Sequence, residues 1–155
     1  MGNYEFYYKL MMNQIKKKPT GVLATSLNDE PTTRMLSIVV YDNKIAFQTS
    51  TKLIKFSQIQ QNSNVSLCFT NINIQGEAKI IDQQVLKNEK FTSLFEEKHK
   101  SSYATYSHMK SNRIIEITPK KMVMWGYEDK EPYRIFLNVE EKTARKEMYL
   151  HSEED

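Results

Sequence analysis

A chain of 155 residues with 39% hydrophobic and 26% charged side chains is sized for one domain with its own core, and it carries no signature of disorder or of a fibrous protein. Its formal charge of +3, from 22 basic against 19 acidic residues, is too even to argue for nucleic acid or a membrane surface, while leaving room for a small anion. The single cysteine, Cys68, excludes an intramolecular disulfide framework and fits a reducing compartment, so the expected location is the cytoplasm.

The opening MGNYEFYYKLMMNQIKKK lacks the order of charge, apolar core and small-residue cleavage site that marks a signal peptide. Phe6 stands where a myristoylation motif wants Ser or Thr. Tyr7, Leu10, Met11 and Ile15 recur at helical spacing, which predicts a leading helix over residues 4–17 ended by Pro19 and Gly21. A barrel-forming region is expected over about residues 20–139. GVLATSL and TTRMLSIVVY, joined through NDEP, and KIAFQT, entered through Asp42-Asn43, read as an antiparallel meander of three strands.

A short helix follows, with Ser50 or Thr51 as its expected cap and Leu53, Phe56 and Ile59 on one face. VSLCFT and INIQGEAKII form the next hairpin, with Asn71 near its bend. Gln84 to His99 reads as an amphipathic helix, and KSSYATYSH as a linker after it. The final third predicts strands NRIIEIT, MVMWGY and YRIFLNV, then a charged helix over about residues 140–150 and a frayed SEED terminus. Mostly antiparallel strands interrupted by short helices predict a mainly β fold with α additions, a small β-barrel in one domain over residues 1–155.

No dinucleotide fingerprint, P-loop or paired CxxC occurs, and His99, His108 and His151 stand apart without ligand-spaced partners, so no metal site is expected. The constellation that remains runs from Arg34 to Lys55. A guanidinium on the second strand, Thr49 and Ser50 at the end of the third, and Lys55 in the first turns of the next helix could converge on a phosphate. The same residues also read as a surface arginine, a helix cap and solvated lysines, and spacing alone leaves both readings open. Trp125 and Arg134 form a second pair, brought together across a turn, which suits either a planar cofactor or a plain cation-π contact.

The run TTRMLSIVVYDNKIAFQTSTKLIKFSQIQQNSNVSLCF, with GVLAT before it and IQGEAKI after it, resembles the FMN-binding split β-barrel of the pyridoxamine 5'-phosphate oxidase-like superfamily, in its general-stress-protein and nitroimidazole-resistance reductase branch. The resemblance covers about Tyr4 to Asn138. It implies that Arg34, Met35, Leu36 and Ser37 lie along a flavin, that Thr49, Ser50 and Lys55 seat the FMN phosphate, and that Asn71 contacts the ring. It further implies a homodimer in which Trp125 and Arg134 reach across the interface. The Arg-Leu-His segment with which the oxidases grip pyridoxal phosphate is replaced here by EDKEPYRIF, and Leu53-Ile54 stands where they carry Ser-Arg.

The expected function is therefore that of an FMN flavoprotein passing electrons from a reduced nicotinamide, NADH or NADPH, to a small planar substrate, and not that of a true pyridoxamine phosphate oxidase. Its expected partners are a second copy of the chain and a small molecule, with no nucleic acid or membrane. Tyr106 and His108, in the segment that could cover a cleft, are the candidate proton donors. The alternative is a non-catalytic FMN- or haem-binding barrel, with His99, His108 or His151 as an axial ligand.

Overall fold

In the computed structural model, which describes residues 2–149, nine strands and four helices follow one another as α1 (Gly2–Lys16), β1 (Thr20–Leu27), β2 (Glu30–Ser37), β3 (Val39–Tyr41), β4 (Lys44–Ser50), α2 (Ile54–Gln61), β5 (Asn64–Phe69), β6 (Ile72–Ile81), α3 (Glu89–Lys98), α4 (Lys100–Tyr106), β7 (Asn112–Glu128), β8 (Glu131–Asn138) and β9 (Thr143–Met148). All strand pairs are antiparallel, in the order β2-β1-β5-β6-β7-β4-β3, with β8 and β9 added on the far part of β7. β2 and β3 sit at opposite ends of that path yet are separated in the chain by Ile38 alone, which is fully buried. The two ends of the path are thus joined at one corner, and the sheet curls round as a barrel without a β2–β3 ladder. This is a split β-barrel. Among the described residues no helix is long and apolar enough to cross a membrane.

Two-residue turns make the β1–β2, β3–β4 and β7–β8 hairpins. Asn28-Asp29, Asp42-Asn43 and Asp129-Lys130 all have positive φ, the conformation that short polar side chains tolerate best and that matches the twist of paired strands. The barrel interior holds Phe47, Phe69, Leu23, Ile45, Leu67 and Ile74, and α1 plugs one side with Tyr4, Met11, Met12 and Ile15. The face of α1 is thus rotated from the expected 7-10-11-15 stripe towards residues 4, 8, 11 and 15, with Tyr4 stacked on Tyr8 at 5.6 Å. A second apolar cluster, with Phe91, Phe95 and Val85 against Val39, Ala46 and Ile114, docks α3 on β3, β4 and β7.

Five sequence expectations are corrected. TTRMLSIVVY is two strands, because the chain turns at Ile38 to close the barrel, and β4 pairs with β3 on one side and with β7 on the other, so the three-strand meander is broken between β2 and β3. NRIIEIT and MVMWGY are one strand, β7, because Pro119 falls at a bulge where Gln75 and Gly76 of β6 face Lys121 and Pro119, leaving Lys120 extra. Gly76 has a packing reason too: a Cβ there would lie 2.7 Å from the Thr118 carbonyl oxygen. KSSYATYSH holds α4 where a linker was expected, and Gln84–His99 divides into a 3-10 turn, Val85–Lys87, and α3, whose first turn is capped by Asn88 accepting from the Phe91 N–H at 3.0 Å. The charged segment at the C-terminus is a strand: Lys146 pairs with Glu128, and Arg145 covers Phe136 at 4.4 Å. Cross-strand partners there override the helix preference of Glu, Lys and Ala. The SEED terminus and His151 lie outside the described residues.

Candidate functional site

Where β2, β4 and α2 converge, a cleft of about 350 Å³ opens between the barrel and the α3–α4 pair. Met35, Leu36 and Ser37 form one wall, Gln48, Thr49 and Ser50 the floor, Leu53 and Lys55 one end, and Phe95, Tyr106 and Met109 the opposite wall. The alternation of β4 turns Phe47 and Thr49 inward. Thr49 is only 4% exposed, and its hydroxyl has no hydrogen-bond partner. A buried hydroxyl left unpaired costs about 1–3 kcal/mol, so a bound acceptor or donor would find an unspent partner here.

The expected cap of α2 is not formed. Leu53 occupies the N-cap position and no side chain caps the helix. The Ser50 hydroxyl is engaged elsewhere, donating to Ser111 Oγ at 3.2 Å and accepting from the Lys52 N–H at 3.2 Å. An uncapped helix start beside Lys55 favours negative charge. Lys52 is exposed and does not line the cleft.

Arg34 stands one residue behind the cleft wall. Its Nη1 donates to Thr25 Oγ1 at 2.7 Å and its Nη2 to Thr32 Oγ1 at 2.6 Å, both neutral acceptors. Lys55 is held below its ordinary value by burial and by the Arg34 guanidinium nearby, and burial likewise lowers Arg34. No carboxylate makes an ion pair with either among the described residues. Two partly desolvated cations that act on each other, without a carboxylate ion-paired to either among the described residues, could hold an anion.

Asn71, Trp125 and Arg134 gather at the other end of β7. Asn71 Nδ2 donates to the Trp125 carbonyl at 2.7 Å, and Trp125 sits opposite Arg134 in the β7–β8 register. The Arg134 guanidinium lies over Phe136 and Tyr149, at 5.3 and 4.9 Å, and 3.9 Å from Glu147. Within one chain these three residues do not line the cleft. Trp125 is 43% exposed.

Tyr106 does line the cleft; His108 does not, and His99 Nε2 is engaged with the Ile38 carbonyl at 2.8 Å. Sequence reasoning missed Gln48, whose Oε1 accepts from the buried Ser107 hydroxyl at 3.0 Å, and the Thr25, Thr32 and Gln58 group behind Arg34. Polar residues on a strand or an amphipathic helix read as solvent-facing unless their distant partners are known.

Other clusters differ in kind. Buried Glu116 accepts from the Tyr41 hydroxyl at 2.6 Å and lies 3.5 Å from Lys44, and burial, with Glu116, raises the Tyr41 pKa far above its usual value. Its charge is locally answered. Three larger hollows, of about 400, 470 and 490 Å³, lie over the strand faces around Gln75, Lys121 and Pro119, and none of their lining residues has a buried unpartnered polar atom. Among the described residues no three His, Cys, Asp or Glu side chains gather as metal ligands would.

Comparison with known proteins matches this fold to solved structures. The chain is 23% identical to general stress protein 26 from Bacillus anthracis str. Sterne, covering 86% of this chain and 98% of that one with a TM-score of 0.63. A pyridoxamine 5'-phosphate oxidase-related, FMN-binding protein from Nostoc punctiforme PCC 73102 is 15% identical, with coverages of 92% and 93% and a TM-score of 0.60. A NimC/NimA family protein from Clostridium acetobutylicum is 17% identical, with coverages of 90% and 91% and a TM-score of 0.56. At these identities the likeness is one of fold. No curated protein matches. The family described as pyridoxamine 5'-phosphate oxidase matches residues 9–126, which hold β1 to β6, most of β7, α2 to α4 and the whole cleft, and the chain belongs to that family.

Proposed function

We propose that the protein binds FMN in the cleft and serves as an oxidoreductase between a reduced nicotinamide and a small planar substrate. The observation that carries the reading is the uncompensated pair Arg34 and Lys55 at a cleft whose floor holds the unpartnered Thr49 hydroxyl. The FMN-binding protein of Nostoc punctiforme, of the same fold, supports it. Lys55 would supply charge to the phosphate and Thr49 a hydrogen bond, with Arg34 adding charge from behind β2. Met35 to Ser37 would lie along the ring, and Met35, 68% exposed, offers it an apolar surface. FMN, once bound, supplies the redox chemistry; the chain supplies position and field.

Completion of the site by a second copy belongs to the same proposal. Trp125 and Arg134 do not line the cleft of their own chain and are partly exposed, so they would face the cleft of a partner in a homodimer. The EDKEPYRIF stretch, in β7, its turn and β8, supplies no Arg-Leu-His grip for a pyridoxal phosphate. A haem in this cleft would find neither His99 nor His108 on its walls.

Lys55 sets the pH dependence. Its pKa is depressed in the free protein below 10.5, by burial first and then by Arg34, and a bound phosphate dianion would raise it again. FMN affinity is then fully present below the depressed value and declines as pH climbs through it towards 10.5. Without ligand the sign reverses: the unfolded chain holds the Lys55 proton more tightly, so rising pH adds stability across that window. Titration calorimetry in two buffers of different ionisation enthalpy should show proton uptake on FMN binding within the window. No uptake there would remove Lys55 from the phosphate contact.

Turnover is tested with FMN-loaded protein. NADH or NADPH should be consumed, with an electron acceptor present, faster than by free FMN. Consumption at the free-FMN rate would leave a protein that binds flavin without using it.

A further inference from the structure

Gln58 is buried, 6% exposed, on the face of α2 that packs against β1 and β2. Its side-chain oxygen accepts two hydrogen bonds, from Thr25 Oγ1 at 2.6 Å and from Thr32 Oγ1 at 3.0 Å. Each threonine has one hydroxyl hydrogen, which Gln58 accepts in these two bonds, and the two hydroxyls also lie 3.2 Å from each other. Their remaining lone pairs are thereby turned to Arg34, whose Nη1 and Nη2 donate to Thr25 and Thr32 at 2.7 and 2.6 Å. The four side chains form a closed ring of bonds, and Arg34 Nη1 also lies 3.4 Å from the carbonyl oxygens of Leu23 and Thr32, so every acceptor around the guanidinium is neutral.

That ring has two properties. It fixes the plane of the Arg34 guanidinium using neutral acceptors, so the orientation is obtained without cancelling the charge. It also ties that orientation to α2 at a residue one turn beyond Lys55, so the helix that presents Lys55 and the strand that presents Arg34 are set by the same amide. A carboxylate at position 58 could accept the same two hydroxyl bonds but would answer the charge of both cations from inside a poorly solvated site.

We infer that Gln58 is the positioning residue of the anion seat, holding Arg34 and the Lys55 helix in register while keeping both positive charges available to a phosphate ester. This rests on the reading of the cleft as an FMN site and deepens it: selectivity for the phosphorylated flavin over the unphosphorylated one is set behind the site, by an uncharged amide. A buried glutamine that merely tied α2 to the barrel would affect stability, and would affect both flavins alike.

The test is to titrate the full chain and its variants Gln58→Glu and Gln58→Met with FMN and with riboflavin, which shares the ring and lacks the phosphate. Flavin fluorescence gives both Kd values, and a thermal melt of each variant gives stability. Gln58→Glu should weaken FMN binding about tenfold or more while riboflavin stays within about twofold. Gln58→Met should also weaken FMN selectively, by a smaller factor, because the threonine hydroxyls lose the acceptor that orients them. An unchanged FMN-to-riboflavin ratio in Gln58→Glu, or a parallel loss for both flavins, would overturn the inference while leaving the seat intact. Should Gln58→Glu fail to fold, Gln58→Met decides on the same criterion. Wild-type protein that shows no preference for FMN over riboflavin would instead remove the seat itself, before any variant is compared.

Discussion

Lys55→Ala is expected to release FMN while the barrel stays folded. The side chain lies at the end of the cleft, in the first turn of an uncapped helix, and makes no ion pair with any described residue. Nothing in the fold depends on its charge, and its removal relieves the repulsion from Arg34 that depresses its pKa. A charge-assisted hydrogen bond contributes about 1.5–3 kcal/mol, so FMN should bind about ten- to a hundredfold more weakly. The thermal midpoint without ligand should hold or rise. Equilibrium dialysis with FMN, beside a melt of the apo protein, checks both halves of the expectation. Unaltered FMN affinity would detach Lys55 from the phosphate.

Phe47→Ala is the largest stability loss expected near the site. Phe47 is fully buried in the barrel core, on the strand that carries Gln48 and Thr49, and faces Ile115 in the β4–β7 register. Truncating a buried phenylalanine costs about 3–5 kcal/mol, because transfer energy is lost and the cavity collapses only in part. For a chain of this size that corresponds to a midpoint lower by roughly 6–20 °C. The floor of the cleft should loosen with it, so weaker flavin binding is expected alongside the melt. A midpoint lowered by only a degree or two would show that the core refills the space.

Hairpin turns were the most legible part of the chain. Asn28-Asp29 and Asp42-Asn43 announce themselves because few other residue pairs accept positive φ at both positions. The pattern of β5, with Val65, Leu67 and Phe69 inward and Asn64, Ser66 and Cys68 outward, is equally plain. What misled was chemistry answered at long range. Pro119 looks like a strand breaker until the bulge opposite Gly76 is seen, and TARKEM looks helical until Arg134 of β8 and Glu128 of β7 offer Glu147 and Lys146 their partners. α4 is short and rich in Ser and Tyr, so its sequence gives little sign of a helix; His99 ties its start to Ile38.

The site followed the same division. Lys55 and Thr49 were readable because they stand near a strand-to-helix junction, a local feature. Gln58 was not, because its burial depends on Thr25 and Thr32, far back along the chain. Trp125 and Arg134 were expected to be brought together by the turn between their strands, and they face each other across that hairpin. Their distance from the cleft of the same chain follows from the length of β7, a single strand where the sequence suggested two.

The central claim is that this cleft holds FMN. Its most direct test is the absorbance spectrum of the full chain after incubation with FMN and removal of the excess by gel filtration. Flavin bands travelling with the protein at about one FMN per chain are the predicted result. A colourless protein peak, from a chain that is folded by its thermal melt, would contradict it.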